Sequence, residues 1–132
     1  MQILLDTHIL LWWLEDKGRL SDDQSCILQN ISAKRPAFLA SVTLWEVATL
    51  VSLGRIRLRR PLRDWLQAAS APPLVRLVPL SASIAAEVAA LPNSFHRDPA
   101  DRILVATARV LGLTMLTRDR RIVDAALVST IT

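Results

Sequence analysis

Four carboxylates stand apart from the rest of the charge in this chain. Asp6 is the only formally charged side chain in residues 1–14 and follows the apolar run ILL. Glu46 is the only ionisable side chain between Arg35 and Arg55, and its helical neighbours Val42, Thr43, Thr49 and Leu50 carry no charge to pair with it. Asp101 lies three positions after Asp98 in HRDPADRILVATARVLG, and Asp119 comes just after the apolar run LTMLT. A carboxylate taken out of water without compensation costs several kcal/mol as an order of magnitude, so each needs a cation, a set of donors or a raised pKa. Acids grouped without His or Cys ligands suit Mg²⁺ or Mn²⁺, which prefer oxygen donors and retain several waters.

Each acid also has a purely structural reading. Asp98 fits an N-cap, with Pro99 at the first helical position and Asp101 in a first turn whose dipole favours an anion. Asp119 fits the cap of RRIVDAAL, and Glu46 has the option of an arginine from elsewhere in the chain. Any one acid is explained equally well by either reading; the four together favour a metal site. His8 and His96 are read as solvated or satisfied in the core, and Trp12, Trp13, Trp45 and Trp65 as packing groups.

The elements that must position these acids follow from periodicity. QILLD (2–6), AFLAS (37–41), LVRLVPL (74–80) and LTMLT (113–117) read as short buried strands, with LVSTI as a short fifth. Between them lie helical patterns: THILLWWLED, a segment from Ser21 to about Lys34, VTLWEVATLVSL ended by Gly54, a helix started by Pro61, SASIAAEVAAL, the run after Asp98, and a short helix from Asp119. Short apolar strands alternating with helices predict a parallel sheet covered on both faces, and in such sheets ligands bind beyond the carboxyl ends of the strands. Asp6 and Asp119 fall at two such ends.

The remaining composition narrows the class. A length of 132 residues with 52% hydrophobic side chains fits one domain, 1–132, with a real core. Of the 16 basic side chains 14 are arginine, and the net charge of +4 favours a polyanionic partner. The single cysteine, Cys26, excludes an internal disulfide and a Cys-based metal site. The N-terminal apolar stretch lacks a basic flank and a cleavage site and contains Asp6, while Glu46 interrupts the apolar run 36–54, so neither a signal peptide nor a membrane span is expected and the cytoplasm is the expected location. RIRLRRPLR (55–63) holds five arginines in nine positions. Alternation with Ile56 and Leu58 would line Arg55, Arg57 and Arg59 along one side of an extended segment, a row able to follow a polyanionic backbone, although a solvated face explains the run equally well.

Four blocks in order, LLDTHILLWWL, SVTLWEVA, DPADRILVATA and LTRDRRI, resemble the PIN-domain family, in its VapC-type branch of bacterial toxins, over nearly the whole chain. The resemblance implies a three-layer α/β/α fold with a parallel four- to five-stranded sheet, a Mg²⁺- or Mn²⁺-dependent endoribonuclease using a metal-activated water, a cognate antitoxin and a homodimer. Carried over by motif, the acidic set is Asp6, Glu46, Asp101 and Asp119. Thr117 matches the supporting hydroxyl, Thr7 and Ser41 are placed to orient carboxylates, and Asp98 falls outside the shared set. A catalytically idle module of the same fold that binds RNA or protein is the alternative. A phosphatase would want a second Asp where His8 stands, and a phosphoacceptor receiver an early acidic pair and a late Lys, both absent.

Overall fold

The computed structural model describes residues 1–132. The strands are β1 (Ile3–Leu5), β2 (Ala37–Ala40), β3 (Val75–Val78), β4 (Thr114–Leu116) and β5 (Thr130–Ile131), joined in one parallel sheet of order β3-β2-β1-β4-β5. The helices are α1 (Thr7–Glu15), α2 (Asp22–Gln29), α3 (Ser41–Ser52), α4 (Leu62–Ala69), α5 (Ala82–Ala90), α6 (Pro99–Leu111) and α7 (Arg120–Ala125), with one 3₁₀ turn at Lys17–Arg19.

The period of two along each strand divides the core. Ile3, Leu5, Ala37, Leu39 and Leu116 face one side, where Ile9 and Leu10 of α1, Leu28 of α2, Val47 of α3 and Trp65 of α4 cover them. Leu4, Phe38, Ala40 and Met115 face the other, packed by Leu104, Val105 and Ala108 of α6 and Ile122 of α7. Both faces being apolar, the strands read as unbroken hydrophobic runs and the result is the expected three layers.

Most elements are trimmed at their ends relative to the periodicity, β5 to two residues of LVSTI, and α2 and β3 lose several residues. α2 stops at Gln29 instead of reaching Lys34, because Asn30 closes it, its side chain donating to the Cys26 carbonyl at 2.7 Å, and a tight Ser32–Arg35 turn then redirects the chain into β2 ahead of Pro36. β3 covers four of the seven residues predicted. Gly112, at φ 66°, ends α6 in the left-handed conformation that glycine adopts without steric cost.

The order of strands creates the place for a site. From β1 the chain adds β2 and β3 on one side, then returns to lay β4 on the other, so the connections leaving β1 and β4 diverge. Such a reversal leaves a crevice at the carboxyl ends of the two strands. Asp6 follows β1 directly and Thr117 follows β4, with the Asp6 N–H donating to the Leu116 carbonyl at 3.0 Å to hold the two ends in register.

Candidate active site

Three helices begin at this crevice. Asp6 is the N-cap of α1, its Oδ1 accepting from the Thr7 N–H at 2.7 Å, and Asp119 is the N-cap of α7, its Oδ1 accepting from the Arg121 N–H at 2.9 Å. Asp98 caps α6 as expected, accepting the Asp101 N–H at 3.2 Å, which places Asp101 in the first turn. Capping and convergence are therefore compatible: the caps aim the positive ends of α1, α6 and α7 at one crevice and gather the carboxylates there. Glu46 arrives from the middle of α3, one turn beyond Thr43.

Asp6, Glu46, Asp98, Asp101 and Asp119 line a single cavity of about 440 Å³, with Arg55, Arg118 and Arg121 on its wall beside His8, Trp12 and Leu50. No threonine, serine or cysteine lines it. Two hydroxyls behind the lining orient the acids. Thr117 donates to Asp6 Oδ2 at 2.6 Å while accepting the Asp119 N–H at 3.0 Å, and Thr7 donates to Glu46 Oε1 at 2.5 Å with the Thr43 hydroxyl 3.4 Å behind it. Ser41, expected to share this work, makes no hydrogen bond to an acid. Thr43 lies three residues before Glu46 on the same helical face, whereas Ser41 lies five before it.

His96 was not expected here. Its Nε2 lies 2.7 Å from Asp101 Oδ2, and with the carboxylate ionised that nitrogen is the donor. Its Nδ1 is buried without a partner. Buried Arg102 fixes the loop carrying it, donating to the Phe95 and His96 carbonyls at 2.9 and 3.2 Å. A lone histidine five residues before an aspartate, across a helix start, has no sequence periodicity to reveal the contact.

Of the arginine row, Arg55 reaches the cavity. Exposure alternates along 55–59 as expected, with Ile56 and Leu58 packed on the core and the three arginines outward. Arg59 is tied to the end of α1, its N–H on Glu15 Oε1 and its Nη2 on the Glu15 carbonyl, both at 2.9 Å.

Crowding these acids has an electrostatic cost. Burial, with the neighbouring carboxylates, raises Asp6 and Asp101 above the ordinary aspartate range against the opposing hydrogen bonds from Thr117 and His96. Burial and the charges of Asp101, Asp6 and Asp98 move Glu46 up to about 7 despite its bond from Thr7. Asp119 differs: burial would raise it, but the hydrogen bonds and charge of Arg121 together bring it below its usual value. No three acids are drawn into a finished metal cage, yet an all-oxygen donor set with this excess of negative charge fits a divalent cation that keeps part of its water.

A family model for the PIN domain matches residues 3–127. The chain belongs to the PIN-domain family. Within that family this PIN domain is 39% identical over 120 residues to the ribonuclease VapC22 of Mycobacterium tuberculosis, covering 91% of this chain and 88% of the relative. Its fold is that of VapBC2 from Rickettsia felis, solved bound to a promoter DNA fragment, with a TM-score of 0.74 at 12% identity over 99% of this chain and 98% of that one. FitAcB from Neisseria gonorrhoeae is similar at a TM-score of 0.72 and 23% identity, over 99% and 97% of the two chains. A toxin-antitoxin complex from Klebsiella pneumoniae aligns at a TM-score of 0.65 and 20% identity, over 99% and 97%.

Proposed function

We propose that this PIN domain, spanning 1–132, is an endoribonuclease and the toxin of a toxin-antitoxin pair, with Asp6 and Asp101 holding Mg²⁺ or Mn²⁺ and Glu46 and Asp119 completing or flanking that set. The observation that carries the reading is the convergence of four acids from four separate segments on one cavity, three of them raised in pKa by burial and mutual repulsion. The 39% identity to a protein named a ribonuclease supports the reaction class.

The side chains divide the work. When bound, the divalent ion supplies activation of water and neutralisation of charge gathering on the phosphate. With no hydroxyl or thiol on the lining and those of Thr7 and Thr117 engaged by carboxylates, the cavity is furnished for water as nucleophile. Glu46 Oε1 is occupied by Thr7, whereas Oε2 accepts no protein hydrogen bond and is open to take a proton. An acidic pocket alone repels a polyanion; Arg55 and Arg118 on its wall, with Arg57 beyond, offset that repulsion and lead the RNA backbone in. The antitoxin, association of two copies through an exposed apolar helix surface, and a cytoplasmic setting complete the proposal. The toxin-antitoxin complex from Klebsiella pneumoniae, similar in fold, supports the first of these. No helix is long and apolar enough to cross a membrane.

The purified protein is expected to cleave RNA with Mn²⁺ and to stop when the ion is chelated. Asp6→Asn and Asp101→Asn each lower the rate by about 100-fold or more, the scale on which metal and electrostatic groups contribute. Asp98→Asn retains the rate, because asparagine caps a helix as well as aspartate does. Cleavage in excess chelator overturns the metal assignment, and RNA binding with no cleavage under any ion selects the idle module. In cells, expression arrests growth, and Asp6→Asn relieves the arrest.

A further inference from the structure

Two of the four acids already face a cation that belongs to the chain. Arg121, the second residue of α7, folds its guanidinium back over its own helix start, with Nη2 3.1 Å from Asp119 Oδ2 and 3.5 Å from Asp101 Oδ2, and Nε 3.4 Å from Asp119 Oδ1. Asp101 Oδ2 also contacts His96, so this oxygen has two partners from the protein. A divalent ion held between Asp101 and Asp119 competes with this guanidinium for the same two carboxylates. Guanidinium does not lose its proton, so it cannot release these oxygens by neutralising itself and makes way for an ion only by moving.

The side chain is built to move. Its side chain is 60% exposed, while its backbone N–H stays anchored on Asp119 Oδ1, so the guanidinium can leave without disturbing the helix. It also has somewhere to go. Arg121 borders a second cavity of about 340 Å³ lined by Ser94, Phe95, His96, Asp124 and Leu127, which Glu46 does not line.

We propose that Arg121 is the resident counter-cation of the acidic pocket, that a divalent ion binds by exchanging with it, and that the displaced guanidinium turns into the neighbouring cavity. The inference rests on the acids being the metal site. Exchange makes the observed metal affinity weaker than the intrinsic one, because the binding-competent state is the fraction of molecules in which Arg121 has moved aside. Free of metal, the same contact moderates the repulsion among the acids.

The test is calorimetric titration of the full chain with Mn²⁺ alone, for the parent, Arg121→Gln and Arg120→Gln. Arg120 is the control for formal charge, since it pairs with Asp124 at 3.2 Å on the exposed side of α7. Arg121→Gln is expected to bind Mn²⁺ roughly three- to fivefold more tightly, the scale of an exposed ion pair, and Arg120→Gln to stay within about twofold of the parent. Thermal melts add a readout independent of activity: metal-free Arg121→Gln melts below the parent and gains more from Mn²⁺. Affinity in Arg121→Gln equal to or weaker than in Arg120→Gln overturns the exchange while leaving the metal site intact. Absence of Mn²⁺ binding in the parent removes the metal reading and this inference with it. Should Arg121→Gln fail to fold, Arg121→Lys keeps the charge without the two-pronged contact. An affinity above that of the parent then supports exchange, and one equal to or below it overturns it.

Discussion

Glu46 is the acid whose protonation is most exposed to a change of pH. Its pKa in the fold is about 7 against 4.5 for a free side chain, so the folded state holds more protons than the unfolded one between those values. Stability then falls as pH rises through that window: the contribution is fully present below about pH 4.5 and gone above about 7. Discounted for partial solvent access, the loss is on the order of 1–3 kcal/mol, and the raised Asp6 and Asp101 act in the same direction. Urea denaturation of the metal-free protein is expected to give a higher midpoint at pH 5 than at pH 7.5, with a shallower dependence in Glu46→Gln. An equal slope in that variant would place the titration elsewhere. The isolation of Glu46 was visible in the sequence because charge is read along the chain. Its hydroxyl partner was not derivable that way: Thr7 lies 39 residues away, as Thr117 lies 111 from Asp6, and both entered only through resemblance. His96 entered by neither route, since its contact with Asp101 exists only in the shape of the loop that Arg102 pins.

Elements were legible where a period and a stop signal agreed. α6 opens on the Asp98-Pro99 signal expected for it and is closed by Gly112, while α2 lost a turn to a cap and a bend whose signals are weaker than its apolar pattern. The segment 55–59 sits between these cases. Its alternation predicted the outward row correctly, but not that Glu15 would hold one member of it. That contact sharpens what the row can do, because Arg59 spends its guanidinium on a backbone carbonyl while Arg55 and Arg57 make no protein ion pair. Replacing Arg55, Arg57 and Arg59 together with Gln is expected to weaken RNA binding and to lower its log–log salt slope by about 1.4, two single-strand phosphates at about 0.7 each, rather than by the three-residue value. A slope unchanged in fluorescence titrations over a range of salt would assign the row to another partner or to plain solvation.

At the scale of the whole molecule, the acidic crevice is a place where the fold is less stable than it would be with the charges satisfied. Mn²⁺ at about 100 times its dissociation constant is expected to add about 2.7 kcal/mol to unfolding and to erase most of the decline with pH, whereas Asp6→Asn loses both effects. Denaturation curves with and without chelator measure this, and a metal-independent midpoint would argue against binding to the folded state. The strand order carries one more consequence. β1 is made first but sits between β2 and β4, and its partner Thr114–Leu116 is made more than a hundred residues later. Until then Asp6 has neither the Leu116 carbonyl for its N–H nor the Thr117 hydroxyl on its carboxylate, Asp101 has nothing to converge on, and Asp119 is yet to be made. A chain still being synthesised thus carries three of the four acids apart from one another, with an open sheet edge beside Asp6. The pocket is therefore the last part of the fold to exist, and a chain halted before Thr114 carries its acids without the geometry that gathers them.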